Sequence, residues 1–192
     1  MTMRLVLLGP PGAGKGTQAV RIAERLGIPA ISTGDIFRAN VSERTELGRT
    51  AQRYMDAGEY VPDEVTNAMV ADRLARDDAR TGFLLDGYPR TEPQVRELDS
   101  MLGAQDVSLD AVIELTADVD EVVGRLLGRA QEQGRTDDTE PVIRRRLEVY
   151  REQTAPLVGI YSGRGLLVQV DGMGEIDEVT DRLQAALAEV GA

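Results

Sequence analysis

The chain predicts an α/β fold, a P-loop kinase core with a five-stranded parallel sheet flanked by helices, and three observations carry that expectation. Five short apolar runs, at residues 4–8, 29–32, 82–86, 111–115 and 166–170, alternate with segments of helical period, the pattern of a parallel sheet covered on both faces. The first run leads into Gly9-Pro10-Pro11-Gly12-Ala13-Gly14-Lys15-Gly16-Thr17 and then into a helical stretch over 17–26, the strand, loop and helix order that a phosphate-binding turn needs. With 192 residues and 42% apolar content, the chain suits one domain with a full core and no second globular unit.

The first strand, Arg4 to Leu8, is nearly all apolar, as a strand buried on both faces must be. The loop after it holds the only lysine among 22 basic residues. An ammonium is a compact charge with three donors, whereas guanidinium is a wide fork, so Lys15 marks a place inside a loop wrapped around a phosphate chain. Glycines let the backbone approach phosphate oxygens, and the helix N-terminus adds its dipole. The spacing Gly9-x4-Gly14-Lys15 follows the Walker A pattern, with Gly16 at the Ser/Thr position and Thr17 one place later. An ordinary glycine-rich turn is the plain alternative. A dinucleotide fingerprint is rejected because Gly12-Ala13-Gly14-Lys15-Gly16 closes one residue early.

Ile31 to Arg38 ends the second strand and opens a helix over 35–41, where Ser32 and Asp35 suit a capping-box variant. Further helices are expected over 46–57, closed by Gly58, and over 63–76 and 92–102. Between these last two, Phe83-Leu84-Leu85-Asp86-Gly87-Tyr88-Pro89-Arg90 ends a buried strand with a carboxylate. Such strand ends line the ligand crevice of an open sheet, so Asp86 is placed to hold Mg²⁺ through its water shell, the alternative being a turn-capping Asp. Arg90, in a rigid turn, reads as a phosphate clamp in preference to a solvated charge.

A helix over 121–127 shows a stripe of Val119, Val122, Val123, Leu126 and Leu127, with Arg125 and Arg129 expected on the opposite face near its C-terminus. The polar stretch 130–141 is expected to be an exposed loop, followed by helices over 142–153 and 175–190. Arg125, Arg129, Arg135 and Arg146 flank that loop; they serve either phosphate binding or helix ends and solvated faces.

Composition excludes whole classes. With no Cys and no His, thiolate metal sites, disulfides and Ser-His or Cys-His catalysis are ruled out. A formal charge of −11 argues against binding nucleic acid or an anionic membrane in bulk, and it obliges a nucleotide enzyme to gather arginines locally. The apolar start at residues 5–8 is too short for a signal or membrane segment, so a cytoplasmic protein is expected.

Taken together, GPPGAGKGTQ at 9–18, STGDIFR at 32–38, GFLLDGYPRTEPQ at 82–94, Gly128-Arg129 with GRTDD at 134–138, and YREQTAPL at 150–157 resemble the adenylate kinase family over essentially the full length. The resemblance implies reversible, Mg²⁺-dependent transfer between ATP and AMP to give two ADP, in a monomer with an AMP-binding insert at 32–61 and a short lid at 128–138. No zinc is implied, because the lid lacks the cysteines of longer forms; closure would depend on arginine-phosphate contacts and on Asp137 and Asp138. The resemblance further implies an ATP pocket of Gly12, Ala13, Gly14, Lys15, Gly16, Thr17, Arg125, Arg129 and Gly174, with Arg125 packing on adenine and backbone near Gly174 touching the base. The implied AMP pocket is Thr33, Arg38, Glu59, Tyr60, Val61, Gly87, Tyr88, Pro89, Arg90 and Gln94, with Gln94 reading the adenine edge. Arg135 and Arg146 would reach the phosphates being exchanged, so that Lys15, Arg90, Arg129, Arg135 and Arg146 form the catalytic set. Two departures stand out: Tyr88 where many members have Phe, and Gly174 where many have Lys. A pyrimidine monophosphate kinase shares the architecture, and Thr33 with Gln94 argue against it. A GTPase-like switch would need a second lysine for guanine recognition, and a nucleotide sensor would not need the arginine set.

Overall fold

The computed structural model describes residues 3–133 and 139–190, the side chains of residues 130–133 excepted. Five parallel strands form one sheet in the order β2-β3-β1-β4-β5, namely β2 (Ala30–Ser32), β3 (Phe83–Asp86), β1 (Arg4–Leu8), β4 (Ala111–Thr116) and β5 (Leu167–Asp171). Leu5 lies opposite Leu84 on one side and Ala111 on the other, and Leu7 opposite Asp86 and Ile113. Strand β1 is therefore central, and the chain reverses direction about it. In an open sheet that reversal leaves a crevice at the carboxyl ends of the strands.

Side chains alternate across a strand, and the two faces bury separate cores. Leu5 and Leu7 pack with Ile113, Leu115, Ala19, Ile22, Val179 and Leu183 beneath α1 (Lys15–Leu26) and α9 (Ile176–Val190). Val6 and Leu8 pack with Leu85, Val112, Val70, Val95, Leu98, Leu157 and Tyr161. These last come from α4 (Asp63–Leu74), α5 (Glu92–Gly103) and α8 (Leu157–Gly163) on the other face. Burial on both faces is why β1 and β3 had to be continuously apolar.

Between β2 and α4 the chain forms α2 (Thr33–Ser42) and α3 (Glu46–Ala57). Ser32 caps α2 by accepting from Asp35 N at 3.3 Å, and Thr45 caps α3 by accepting from Gly48 N at 3.0 Å. Gly58 ends α3 in the left-handed region, the usual termination by a residue without Cβ. The pair encloses its own small core of Phe37, Ala51 and Val61. Val65 and Met69 of α4 pack against it, and Met69 also touches the larger core on that face of the sheet.

Three expectations need correction. The stretch from 130 is not loop throughout, because α6 runs from Val119 to Gln133 and α7 (Glu140–Val149) opens at Glu140; residues 134–138 lie outside the described residues. The apolar stripe of α6 is narrower than expected: Val122 and Leu126 are buried against Ile143, while Val119 is 51% and Leu127 38% exposed. Arg125 follows Val122, and Arg129 follows Leu126, by three residues each, so the two arginines stand beside this buried pair and line the same cavity as Leu126. The helix expected over 142–153 is interrupted, because the last turn, Tyr150–Thr154, widens to a π turn closed by Ala155 N on the Tyr150 carbonyl at 2.9 Å. Helix α8 was not anticipated, since Pro156, Gly159 and Gly163 read as breakers.

Candidate active site

One cavity of about 820 Å³ opens at the carboxyl ends of β1 and β3, near the upper end of the range for small-molecule sites. Its floor is the glycine loop. Gly12 holds φ 84°, and a Cβ there would stand 2.9 Å from Leu126 Cγ and 3.0 Å from Val122 Cγ1. The loop is thus pressed against α6, and only glycine allows it to turn that closely. Gly14, Gly16 and Thr17 are exposed at the N-terminus of α1, where free backbone N–H groups face the cavity, while Ala13 is buried beneath them.

Lys15 folds over this loop and donates to the Gly9 carbonyl at 2.7 Å and the Pro10 carbonyl at 3.0 Å. Burial removes its ammonium from water, and the nearby Arg90 and Arg129 oppose it, so that despite the attraction of Asp86 its pKa falls from 10.5 to about 8. Lys15, Arg90 and Arg129 thus stand close enough to oppose one another, an opposition that a bound anion would relieve. Asp86 ends β3 and is only 9% exposed, and its carboxylate makes no hydrogen bond among the described residues. Its Oδ2 lies 3.8 Å from where a Gly16 Cβ would be. A hard carboxylate standing beside the phosphate loop suits Mg²⁺, which takes one or two carboxylates and completes its shell with phosphate and water. Among the described residues no group of three or more acidic, His or Cys side chains could cage a metal. A Mg²⁺ held at Asp86 would therefore draw its other ligands from phosphate and water.

Arg90 is held from four directions. Its Nε donates to the Gly87 carbonyl at 2.7 Å, its guanidinium stacks 5.0 Å over the Tyr60 ring, its N–H donates to Gln94 Oε1 at 2.7 Å, and its carbonyl accepts from Thr154 Oγ1 at 2.8 Å. Thr154 in turn meets Tyr60 Oη at 2.6 Å. The π turn places Thr154 there, an irregularity of the kind often found at functional sites. Gly87 is required next to Arg90: at φ 84°, a Cβ would fall 2.6 Å from Thr33 Oγ1 and 2.8 Å from Arg90 Nη2. Thr33 donates to the Gly87 carbonyl at 3.0 Å, which ties the start of α2 to this turn.

The remaining expected residues divide. Thr33, Arg38, Tyr60, Val61, Gly87, Pro89, Gln94, Arg125, Arg129, Arg146 and Gly174 all line the cavity. Arg38 is ion-paired with Asp35, and Arg125 donates to the Gly172 carbonyl at 3.4 Å, beside Gly174. Glu59 lines the wall, but its carboxylate is committed to Arg145 Nε at 2.6 Å. Tyr88 is fully buried behind the wall and donates to Asn67 Oδ1 at 2.8 Å; burial raises its phenol pKa. Gln94 is 1% exposed with both ends of its amide already bonded. Arg135 lies outside the described residues. Thr154 was missed although it belongs to the quoted run at 150–157, because nothing local marks its hydroxyl as reaching residue 90. Gln18, within the quoted 9–18 motif, was also missed; it donates to the Ile176 carbonyl at 2.9 Å and fixes the turn that carries Gly174.

A cluster of basic side chains that includes Lys15, Arg90, Arg129 and Arg146, with the Asp86 carboxylate beside a glycine-rich loop at the switch point of a parallel sheet, defines a P-loop phosphotransferase of the nucleotide-binding kind. The family model described as adenylate kinase matches residues 7–166. Proteins named adenylate kinase are 70% identical over 96% of this chain and 98% of the relative in Kocuria rhizophila, 66% over 96% and 97% in a Nocardioides species, and 62% over 96% and 98% in Thermobifida fusca. The chain belongs to the adenylate kinase family.

Proposed function

We propose that the protein transfers the γ-phosphoryl group of ATP to AMP, reversibly, giving two ADP. The observation that carries this is the convergence of Lys15, Arg90, Arg129 and Arg146 on one cavity that also contains Asp86. In the reaction the bond from the γ-phosphorus to the β,γ-bridging oxygen breaks as an oxygen of the acceptor phosphate bonds to that phosphorus. No proton has to be removed from an acceptor that is already an anion, which is consistent with a chain lacking histidine. Catalysis then consists of in-line positioning and of charge placed against the transferring group.

In this reading Lys15 and the N–H groups of Gly12 to Thr17 hold the donor phosphates, with Arg125 and the turn at Gly174 against its base. Arg38, Thr33 and Arg90 hold the acceptor phosphate, with Glu59 to Val61, Gly87 to Pro89 and Gln94 around its nucleoside. Arg129, Arg146 and, from the lid, Arg135 neutralise the charge that spreads over the transferring oxygens. Asp86 would hold Mg²⁺ through water, and the ion would supply charge neutralisation between donor phosphates. Closure of the insert at 32–61 and the lid at 128–138 would exclude water that otherwise competes as acceptor. We further propose a cytoplasmic monomer acting on small molecules, with its net charge of −11 disfavouring nucleic acid and anionic membranes; among the described residues no helix is long and apolar enough to cross a membrane.

The test is a coupled assay of ADP formation from ATP and Mg²⁺ with AMP, UMP, CMP or GMP as acceptor. Turnover with AMP at rates well above the other three is the expected result. Preferential turnover of UMP or CMP would refute the substrate assignment.

A further inference from the structure

Gln94 lines the cavity, yet the atoms that decide how it reads a ligand stand behind it. Its Nε2 donates to Asp63 Oδ1 at 2.8 Å and its Oε1 accepts from Arg90 N at 2.7 Å. A carboxamide is a donor at one end and an acceptor at the other, so turning it over exchanges them. Here neither partner tolerates the exchange. A carboxylate only accepts and a backbone N–H only donates, so the reversed amide would set oxygen against oxygen and N–H against N–H. Asp63 is itself held: Thr91 Oγ1, the N-cap of α5, donates to the same Oδ1 at 3.0 Å while accepting from Gln94 N at 3.3 Å. Asp63, in the first turn of α4, does not line the cavity.

Resting on the reading of an AMP site at Gln94, the geometry points to Asp63 as the positioning residue that makes the acceptor site selective for adenine over 6-oxopurines. One hydrogen on Nε2 and one lone pair on Oε1 are used by no group among the described residues. The base edge of adenine offers an amino donor at C6 and an acceptor at N1. Hypoxanthine and guanine offer the inverse, an acceptor at C6 and a donor at N1. An amide free to turn over would serve both edges equally well. An amide locked by Asp63 and Arg90 N–H presents oxygen and nitrogen in one order, and only one class of purine complements it. Leaving a site's polar group unmatched is what gives such pockets their discrimination.

The experiment measures kcat/KM for AMP and for inosine monophosphate, which differs from AMP at C6 and N1 alone, in the wild type, Asp63→Asn and Asp63→Ala. The AMP-to-IMP ratio is expected to fall about tenfold in Asp63→Ala, the weight of one hydrogen bond to a charged group. A smaller fall is expected in Asp63→Asn, whose own amide can turn over together with that of Gln94. Should Asp63→Ala fail to fold, the Asn variant carries the comparison. Equal losses for both acceptors with an unchanged ratio would mean that Asp63 merely supports the fold and would overturn the inference. A wild type that does not use AMP would instead refute the proposed function.

Discussion

Replacing Lys15 with Met should make the empty protein more stable and the ligand-bound protein less so. Lys15 enters the fold with its pKa lowered from 10.5 to about 8, chiefly by burial. A difference of that size costs the charged form about 3 kcal/mol, and solvent reaching this half-buried residue reduces it to about 2 kcal/mol. Because the folded pKa lies below the unfolded one, the chain must release a proton or bear the cost on folding. The cost is complete below pH 8 and disappears as the pH rises through 10.5. Methionine keeps the length of the side chain without the charge, and water in the open cavity can serve the Gly9 and Pro10 carbonyls that Lys15 now occupies. Thermal unfolding at pH 7 without nucleotide should therefore show Lys15→Met melting about 4–8 °C above the wild type, with the difference closing near pH 10.5. With Mg·ATP at a hundred times its Kd the wild type should gain about 2.7 kcal/mol and overtake the variant, which should gain little and turn over no substrate. A variant that melts below the wild type at pH 7 without ligand would show that the ammonium is satisfied in the empty loop and needs no anion.

Other outcomes follow from the same geometry. Gly87→Ala places a methyl group 2.6 Å from Thr33 Oγ1 at φ 84°; it should destabilise the fold by about 1–3 kcal/mol and raise KM for AMP more than KM for ATP, as read by denaturant unfolding and steady-state kinetics. Chelation of divalent ions should abolish turnover while leaving the melting temperature unchanged, since the described residues include no metal cage; a drop in melting temperature under chelator would point to a metal bound by the protein itself.

Much of the fold was legible because its signals are local. Apolar runs mark strands buried on two faces, and the observed bounds differ from the expected ones by a residue or so; Glu46–Ala57 was read off directly because Gly58 marks its stop in the adjoining residue. The phosphate loop was legible for the same reason: its chemistry lies in nine consecutive residues around the sole lysine. Helix α6 was read only in part, since Gln131 to Gln133 carry no apolar period although they continue a helix that packing at Val122 and Leu126 already holds.

What the sequence alone determined is the class of fold, the anion-binding loop and the set of charged residues available to it, because those depend on contiguous patterning and on residue chemistry. Tertiary structure alone decided which partners those residues take. The π turn aims Thr154 at the Arg90 carbonyl 64 residues away, Glu59 pairs with Arg145 across 86, and Asp63 orients Gln94 across 31. Hydrogen bonds at such separations leave no periodic trace in the chain. They depend on where the sheet brings distant loops together, and at this site they fix the direction in which each polar group points.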